Sequence, residues 1–324
     1  MTAKRIYLLK IALAFSLSLI LTFLLIKPSL GMNHATDLPM SDDPYRVETF
    51  TLDGAGSLNV ETSGGFITVE GSSGNTVRVE MYVQKDGQEL NPQDTDLENW
   101  DIEISQSGNA INVIAERKDS NWSFWGSNNH ASVSFVIYTP DEMSTDLNTS
   151  GGHIKVYNLK GDQNVSTSGG HIELANLEGT VEARTSGGHI EIENIQGNLD
   201  VRTSGGHISA HHVDGNLKAR TSGGHIELAG ISGTIEASTS GGSIEADLQS
   251  VGQFVELKTS GGNINITIPE DIGLDLNLSG SYISTNLNNF SGEIERDEVE
   301  GMLNGGGHKI TARTSGGIVS LSFQ

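Results

Sequence analysis

Five histidines recur at one spacing: His153, His171, His189, His207 and His225 lie 18 residues apart. Imidazole is a metal ligand and titrates near pH 6.5. If each ring takes the same place in successive turns of a stacked chain, neighbours sit about 4.8 Å apart. Two of them could then share an ion, or the row could respond to pH. Glu173, Glu191 and Glu227 follow two residues after a histidine. They are either further ligands or ion-pair partners of Arg184, Arg202 and Arg220. The competing reading is structural: each imidazole lies over a Gly-Gly corner and caps a backbone group. Ser243 and Asn263 take the same position in later copies, as a polar slot would require. A divalent metal on the five histidines is the one cofactor the sequence offers.

Two other segments carry chemistry. The aromatics of Asn121–Gly126, namely Trp122, Phe124 and Trp125, could stack on a sugar or enter a partner's pocket. Folded back, they would cap the end of the fold. Glu293, Glu295, Asp297, Glu298 and Glu300 form an acidic run, either a weak calcium site or a solvated loop.

No catalytic residues are assigned. G-x-S-x-G, H-E-x-x-H, Walker and dinucleotide fingerprints are absent. His211-His212 stands in one divergent copy and reads as repeat drift. Cysteine is absent, which excludes disulfides, thiolate metal sites and a cysteine nucleophile. With 19 basic against 41 acidic residues and a net charge of −22, nucleic acid is not an expected partner. A cell-surface glycan or protein is the partner class left open.

The N-terminus reads as an export signal. Lys4, Arg5 and Lys10 precede an apolar run, Ile11 to Ile26, followed by Lys27-Pro28 and the small-residue pattern Ser29-Leu30-Gly31. That pattern fits a signal peptide cut after Gly31. Counted from Ile6, the run also suits a retained membrane anchor. The expected location is exported: periplasm, cell envelope or cell surface.

The rest of the chain is built to position the histidines. Thr-Ser-Gly-Gly begins at Thr149, Thr167, Thr185, Thr203, Thr221 and Thr239, returns at Thr259 after a step of 20, and also occurs at Thr62 and Thr314. Self-similarity at a fixed period indicates a solenoid. Within the copy from Thr167 to Arg184, Ile172, Leu174, Leu177, Val181 and Ala183 fall inward and alternate with polar residues. This predicts two short strands per coil, with one corner at Gly169-Gly170 and the other at Asn176–Gly179. Thr and Ser rows at the first corner are expected to form hydroxyl ladders. A single coil cannot fold alone and is stabilised by its neighbours.

The expected fold is all-β: a single elongated β-solenoid with coils of about 18 residues. The boundaries are 1–31 signal peptide or anchor, 32–46 linker, 47–140 an irregular N-terminal part with long loops, and 141–324 the regular repeats with closing strands. The last part includes an excursion from Gly292 to Gly307.

The copies of TSGG followed by a polar residue and Ile resemble a bacterial adhesin-like domain-of-unknown-function family built from β-strand repeats. So do VSFVIYTP (Val133–Pro140) leading into Leu147–Gly152, IPEDIGLDL (Ile268–Leu276) and ITARTSGGIVSL (Ile310–Leu321). The resemblance covers nearly all of the chain after residue 46. It implies a β-solenoid in exported or envelope-associated proteins and no catalytic residues. Histidine after the second glycine departs from the Asp or small polar residue usual there. The function expected is a non-catalytic envelope or surface module. A His-row metal-binding or pH-responsive protein and an envelope-stress scaffold are the alternatives.

Overall fold

The computed structural model describes residues 43–85, 88–92, 97, 99–118 and 131–324. The signal segment and the Trp122–Trp125 loop lie outside the described residues. Ser41–Gln324 forms one compact unit. Among the described residues no helix is long and apolar enough to cross a membrane.

The architecture is all-β, as the repeat predicts. In the N-terminal part the strands are β1 (Arg46–Thr51), β2 (Gly56–Thr62), β3 (Ile67–Ser72), β4 (Thr76–Lys85), β5 (Gln88–Glu89), β6 (Trp100–Ser107), β7 (Ala110–Arg117) and β8 (Ala131–Pro140). The regular coils hold β9 (Met143–Thr149), β10 (Ile154–Lys160), β11 (Gln163–Thr167), β12 (Ile172–Arg184), β13 (Ile190–Arg202), β14 (Ile208–Arg220), β15 (Ile226–Ser238) and β16 (Ile244–Thr259). The chain closes with β17 (Ile264–Ile268), β18 (Leu274–Ser279), β19 (Tyr282–Thr285), β20 (Phe290–Ile294), β21 (Glu298–Leu303), β22 (His308–Thr314) and β23 (Ile318–Phe323).

Successive coils pair in parallel with no change of register from β12 to β14: Ile172 faces Ile190 and then Ile208, and Val181 faces Leu199 and then Leu217. All five expected inward residues of the Thr167 copy are buried, at 0–2% exposure. In β12–β16 the two predicted strands run together as one long strand that bends midway, while β10 and β11 remain separate. At the bend Asn176 (φ 57°) and Gly179 (φ 129°) adopt positive φ, as do Asn194 and Gly197 one coil on. Asn tolerates this region better than most residues, and Gly enters it freely. The 20-residue coil absorbs its extra residues at the same bend, where the β15–β16 register shifts.

The order of coils departs from the order of the sequence at both ends. Near the start, β2–β3 lies between β7–β8 on one side and β9–β10 on the other. Near the finish, β22–β23 lies between β16–β17 and β18–β19. Antiparallel strands then cover the outermost coils: β6 on β7, β4 on β8 and β1 on β4 at one end, with β21 on β18 and β20 on β21 at the other. These covers stop the parallel ladder from templating further strands.

Candidate functional site

The TSGG corner is held by a buried hydroxyl and a crowded glycine. Thr185 is 6% exposed. Its Oγ1 donates to the Gly170 carbonyl of the preceding coil at 2.9 Å and accepts the Gly188 N–H of its own corner at 3.2 Å. Thr167, Thr203, Thr221, Thr239 and Thr259 repeat both bonds. The Thr half of the expected hydroxyl ladder is therefore present, while the Ser168 and Ser186 side chains point to solvent. A Cβ on Gly188 would lie 1.8 Å from the Gly170 oxygen, whereas one on Gly187 meets nothing closer than 3.8 Å. Only the second glycine is demanded by space.

Just past that glycine comes the histidine row. The rings of His171, His189 and His207 stack in parallel, with centroids 4.9 and 4.8 Å apart, and His207 and His225 lie at 3.7 Å. Three of these rings, those of His171, His189 and His207, perform one backbone task. The His189 N–H donates to His171 Nδ1 at 2.9 Å, the His207 N–H to His189 Nδ1 at 3.0 Å, and the His225 N–H to His207 Nδ1 at 3.2 Å. An N–H can only donate, so in these three rings Nδ1 keeps its lone pair and the proton of the neutral ring sits on Nε2. Burial, then the neighbouring His225 and His189, lower the pKa of His207 from its ordinary value.

Residues of quite different type continue the row, and the sequence pattern missed several of them. Ser134 Oγ accepts the Phe66 N–H at 3.1 Å, Ser243 Oγ accepts the Asn263 N–H at 3.1 Å, and Asn263 Oδ1 accepts the Ile318 N–H at 2.9 Å. Phe66 and Ile318 belong to the row by register, as does Tyr282. At six positions, Ser134, His171, His189, His207, Ser243 and Asn263, what recurs is an acceptor placed to receive the next coil's N–H, whereas Phe66 and Ile318 offer none. His153 is set apart: its ring stacks on Phe66 at 5.2 Å and its buried Nε2 has no hydrogen-bond partner. Burial, then the charges of Lys155 and His171, lower its pKa.

The carboxylates two residues on do not pair with the arginines. Glu173, Glu191 and Glu227 stand on the sheet face that leaves the TSGG corner, and the arginines stand on the opposite face. Because residues i and i+2 share a face of a strand, Arg184 pairs with Glu182, and Arg202 grips Asp200 through two bonds of 3.0 and 2.8 Å. Lys218 and Arg220 converge on Glu236 from the neighbouring coil, at 3.1 and 3.2 Å, and Lys258 pairs with Glu256. Partial burial works upward on the Asp200 carboxyl, but Arg202, Arg220 and Lys218 outweigh it and hold the group low. On the first face Lys155 bonds Glu173 at 3.0 Å, and Glu245 directly follows Glu227. The coils thus have one ion-paired face and one predominantly acidic face.

Three further groups bear on chemistry. Glu80 accepts from Arg78 at 2.7 Å and from the Tyr82 hydroxyl at 2.9 Å, and burial together with that bond pushes the Tyr82 pKa up. Burial, then Glu173, does the same for Tyr157. Ser209 Oγ and His211 Nε2 stand 2.9 Å apart, the spacing of a nucleophile and its base. However, β14 is paired along both edges, so its ladder N–H groups do not point at a reacting carbonyl as catalysis would need. The acidic run lies within the β20–β21 hairpin and is exposed at every one of its five residues. Among the described residues no three His, Asp or Glu converge to hold a metal ion.

The aromatic loop joins β7 to β8 where other coils carry TSGG: Thr62 pairs with Ala115 and its Oγ1 bonds the Val133 carbonyl. Trp122, Phe124 and Trp125 themselves lie outside the described residues. Trp100, the remaining tryptophan, packs into the core.

A family model described as Toastrack DUF4097 matches residues 56–322, from the first strand of the stack to the last. The chain belongs to the Toastrack DUF4097 family. The match spans the TSGG, VSFVIYTP and IPEDIGLDL segments that carry the resemblance. Among solved structures, a putative adhesin from Bacteroides fragilis is 11% identical with a TM-score of 0.40, covering 88% of this chain and 98% of its own. A putative lipid binding protein from Parabacteroides distasonis is 16% identical with a TM-score of 0.41, covering 85% and 96%. A putative adhesin from the same species is 13% identical with a TM-score of 0.31, covering 85% and 96%. No curated protein matches the sequence.

Proposed function

We propose that this Toastrack protein is an exported, non-catalytic module of the cell envelope or surface, which presents the long faces of its coil stack to a partner. The observation that supports it is how the repeated polar residues are used. The Thr and His rows each tie adjacent coils together through the hydrogen bonds above, and the Asn row does so through bonds such as Asn194 Nδ2 to Asn176 Oδ1 at 3.0 Å. The outward residues of the strands lie spread on flat faces instead of converging on a reacting centre. Residues 1–31 supply the export signal in this reading. Protease shaving of intact and permeabilised cells, with blotting for the chain, tests it. Digestion in intact cells is the expected result for a surface module. Protection until permeabilisation would move it to the periplasmic side as a scaffold, and a wholly cytoplasmic fraction would overturn export.

A second reading, a metal- or proton-responsive His row, is favoured by the stacking of four exposed or half-exposed imidazoles. A metal would have to displace the Nε2 proton, or turn the ring and release the next coil's N–H. A rise in melting temperature with zinc, nickel or copper, lost when His171, His189 and His207 are changed to Asn, would support it. No rise removes the metal branch.

A further inference from the structure

The path of the chain at its C-terminal end creates a slot that a distant segment fills. Five residues, 269–273, separate β17 from β18, yet β18 does not stack on β16. β22 lies between them, with Ile310 facing Val255 on one side and Leu276 on the other. β23 lies between β17 and β19 in the same way. The inserted coil is tightly seated: Ile310, Ala312, Val319 and Leu321 are 0–3% exposed. Thr314 Oγ1 donates to the Gly262 carbonyl at 2.7 Å, and the Ile318 N–H reaches Asn263 Oδ1 at 2.9 Å. A Cβ on Gly317 would lie 2.0 Å from the Gly262 oxygen, so the slot accepts only a strand pair with glycine at that corner. The segment enters through Asn304-Gly305-Gly306-Gly307, four consecutive residues of positive φ.

We propose that a second copy of this chain can supply this coil: two molecules exchange residues 308–323 through the Asn304–Gly307 hinge and are joined at the ends that carry β18–β21. Every contact inside the slot is the same whether the segment comes from its own chain or from the partner. Exchange of an identical element is therefore a low-cost route to a dimer. It changes only the hinge, where three glycines offer alternative backbone paths, and the entropy of association, which concentration offsets. The slot also defines its donor chemically: an extended segment with alternating apolar residues, a Thr at the corner and a Gly three residues later. Crowded display, as on a surface, would favour the exchanged form.

The absence of cysteine allows a clean test on the full chain. Thr267 Oγ1 and Ser322 Oγ are 3.1 Å apart across β17 and β23. One tagged copy carries Thr267→Cys and a differently tagged copy carries Ser322→Cys. They are refolded together over a range of concentrations and oxidised, while the unsubstituted chain is followed by light scattering. A single chain with both substitutions, closing an internal disulfide, shows that the geometry permits the bond. Expected are a dimer fraction that grows with concentration and crosslinks joining the unlike copies in large excess over like pairs. Deleting Gly305 and Gly306, which hinders the segment from turning back, raises the dimer fraction several-fold. A monomer at every concentration overturns the proposal. So does a dimer whose crosslinks join like copies as often as unlike, or not at all. Either failure leaves the envelope reading untouched.

Discussion

The two corners of each coil both carry a crowded glycine but turn the chain in different ways. At the TSGG corner the backbones of adjacent coils approach so closely that a Cβ on Gly206 would lie 1.8 Å from the Gly188 oxygen, although its φ is not left-handed. Glycine is there for space, and a buried Thr and an acceptor one residue past the glycine tie the layers together. At the opposite corner the chain turns through torsion: Asn194 at φ 56° and Gly197 at φ 134°, with an amide ladder on the outside. The first corner is a packing constraint alone, and the second adds a conformational one, since a Cβ on Gly197 would also lie 2.1 Å from the Gly179 oxygen. Substitutions that look alike in sequence should therefore behave differently.

The largest expected contrast lies within one corner. Gly206→Ala should cost more than about 4 kcal/mol or prevent folding. Gly205→Ala, whose new methyl meets nothing closer than 3.7 Å, should be neutral or stabilise by up to about 1 kcal/mol. Urea unfolding of the pair decides it, and equal losses would break the division between the glycines. Next, Thr203→Val removes the bond to the Gly188 carbonyl and the acceptor of the Gly206 N–H. It should cost about 2–3 kcal/mol, with Thr203→Ser recovering most of it.

Asn194, at the other corner, should respond less. Asn194→Ala is expected to cost about 1–2 kcal/mol, the usual penalty of a left-handed residue, while Asn194→Gly costs little despite losing the amide ladder. If both cost the same, the ladder and not the torsion holds that corner. The smallest effect is on pH. The folded pKa of His207 is lowered, so its contribution is complete above the unfolded value of about 6.5. It is lost as pH falls through the folded value, since the unfolded chain then binds more protons. Melting temperature should drop by a few degrees between pH 7.5 and 5.5. Replacing His171, His189 and His207 with Asn, which can accept the same N–H as Asn263 does, should flatten that slope and keep the stability at pH 7.5.

The repeat made the middle of the molecule legible. Period, inward residues and both corners follow from apolar spacing and turn residues, because each coil contacts only near-copies of itself. The ends were not legible for the same reason. The copies at Thr62 and Thr314 carry the same motif as the others, and nothing in a shared motif says which neighbours it will stack between. The histidine row was visible, but its use was not: spacing shows that the rings align, while the bond from each N–H to the previous Nδ1 depends on ring orientation. Ser134 stayed hidden because no TSGG precedes it, and the pairing of Arg184, Arg202 and Arg220 turned on which face each carboxylate shares.

The interleaving of β2–β3 and β22–β23 has a consequence for how the molecule is made. A plain stack could be completed coil by coil as the chain emerges from a ribosome or a translocation pore. Here the earliest strand pair must wait for β7–β10 before both its sides are covered. The gap between β17 and β19 stays open until residues 308–323 arrive. A product cut short anywhere before them exposes two facing rows of unpaired backbone, the kind of surface that aggregates or is degraded. The last coil to be synthesised thus serves as a check on completeness.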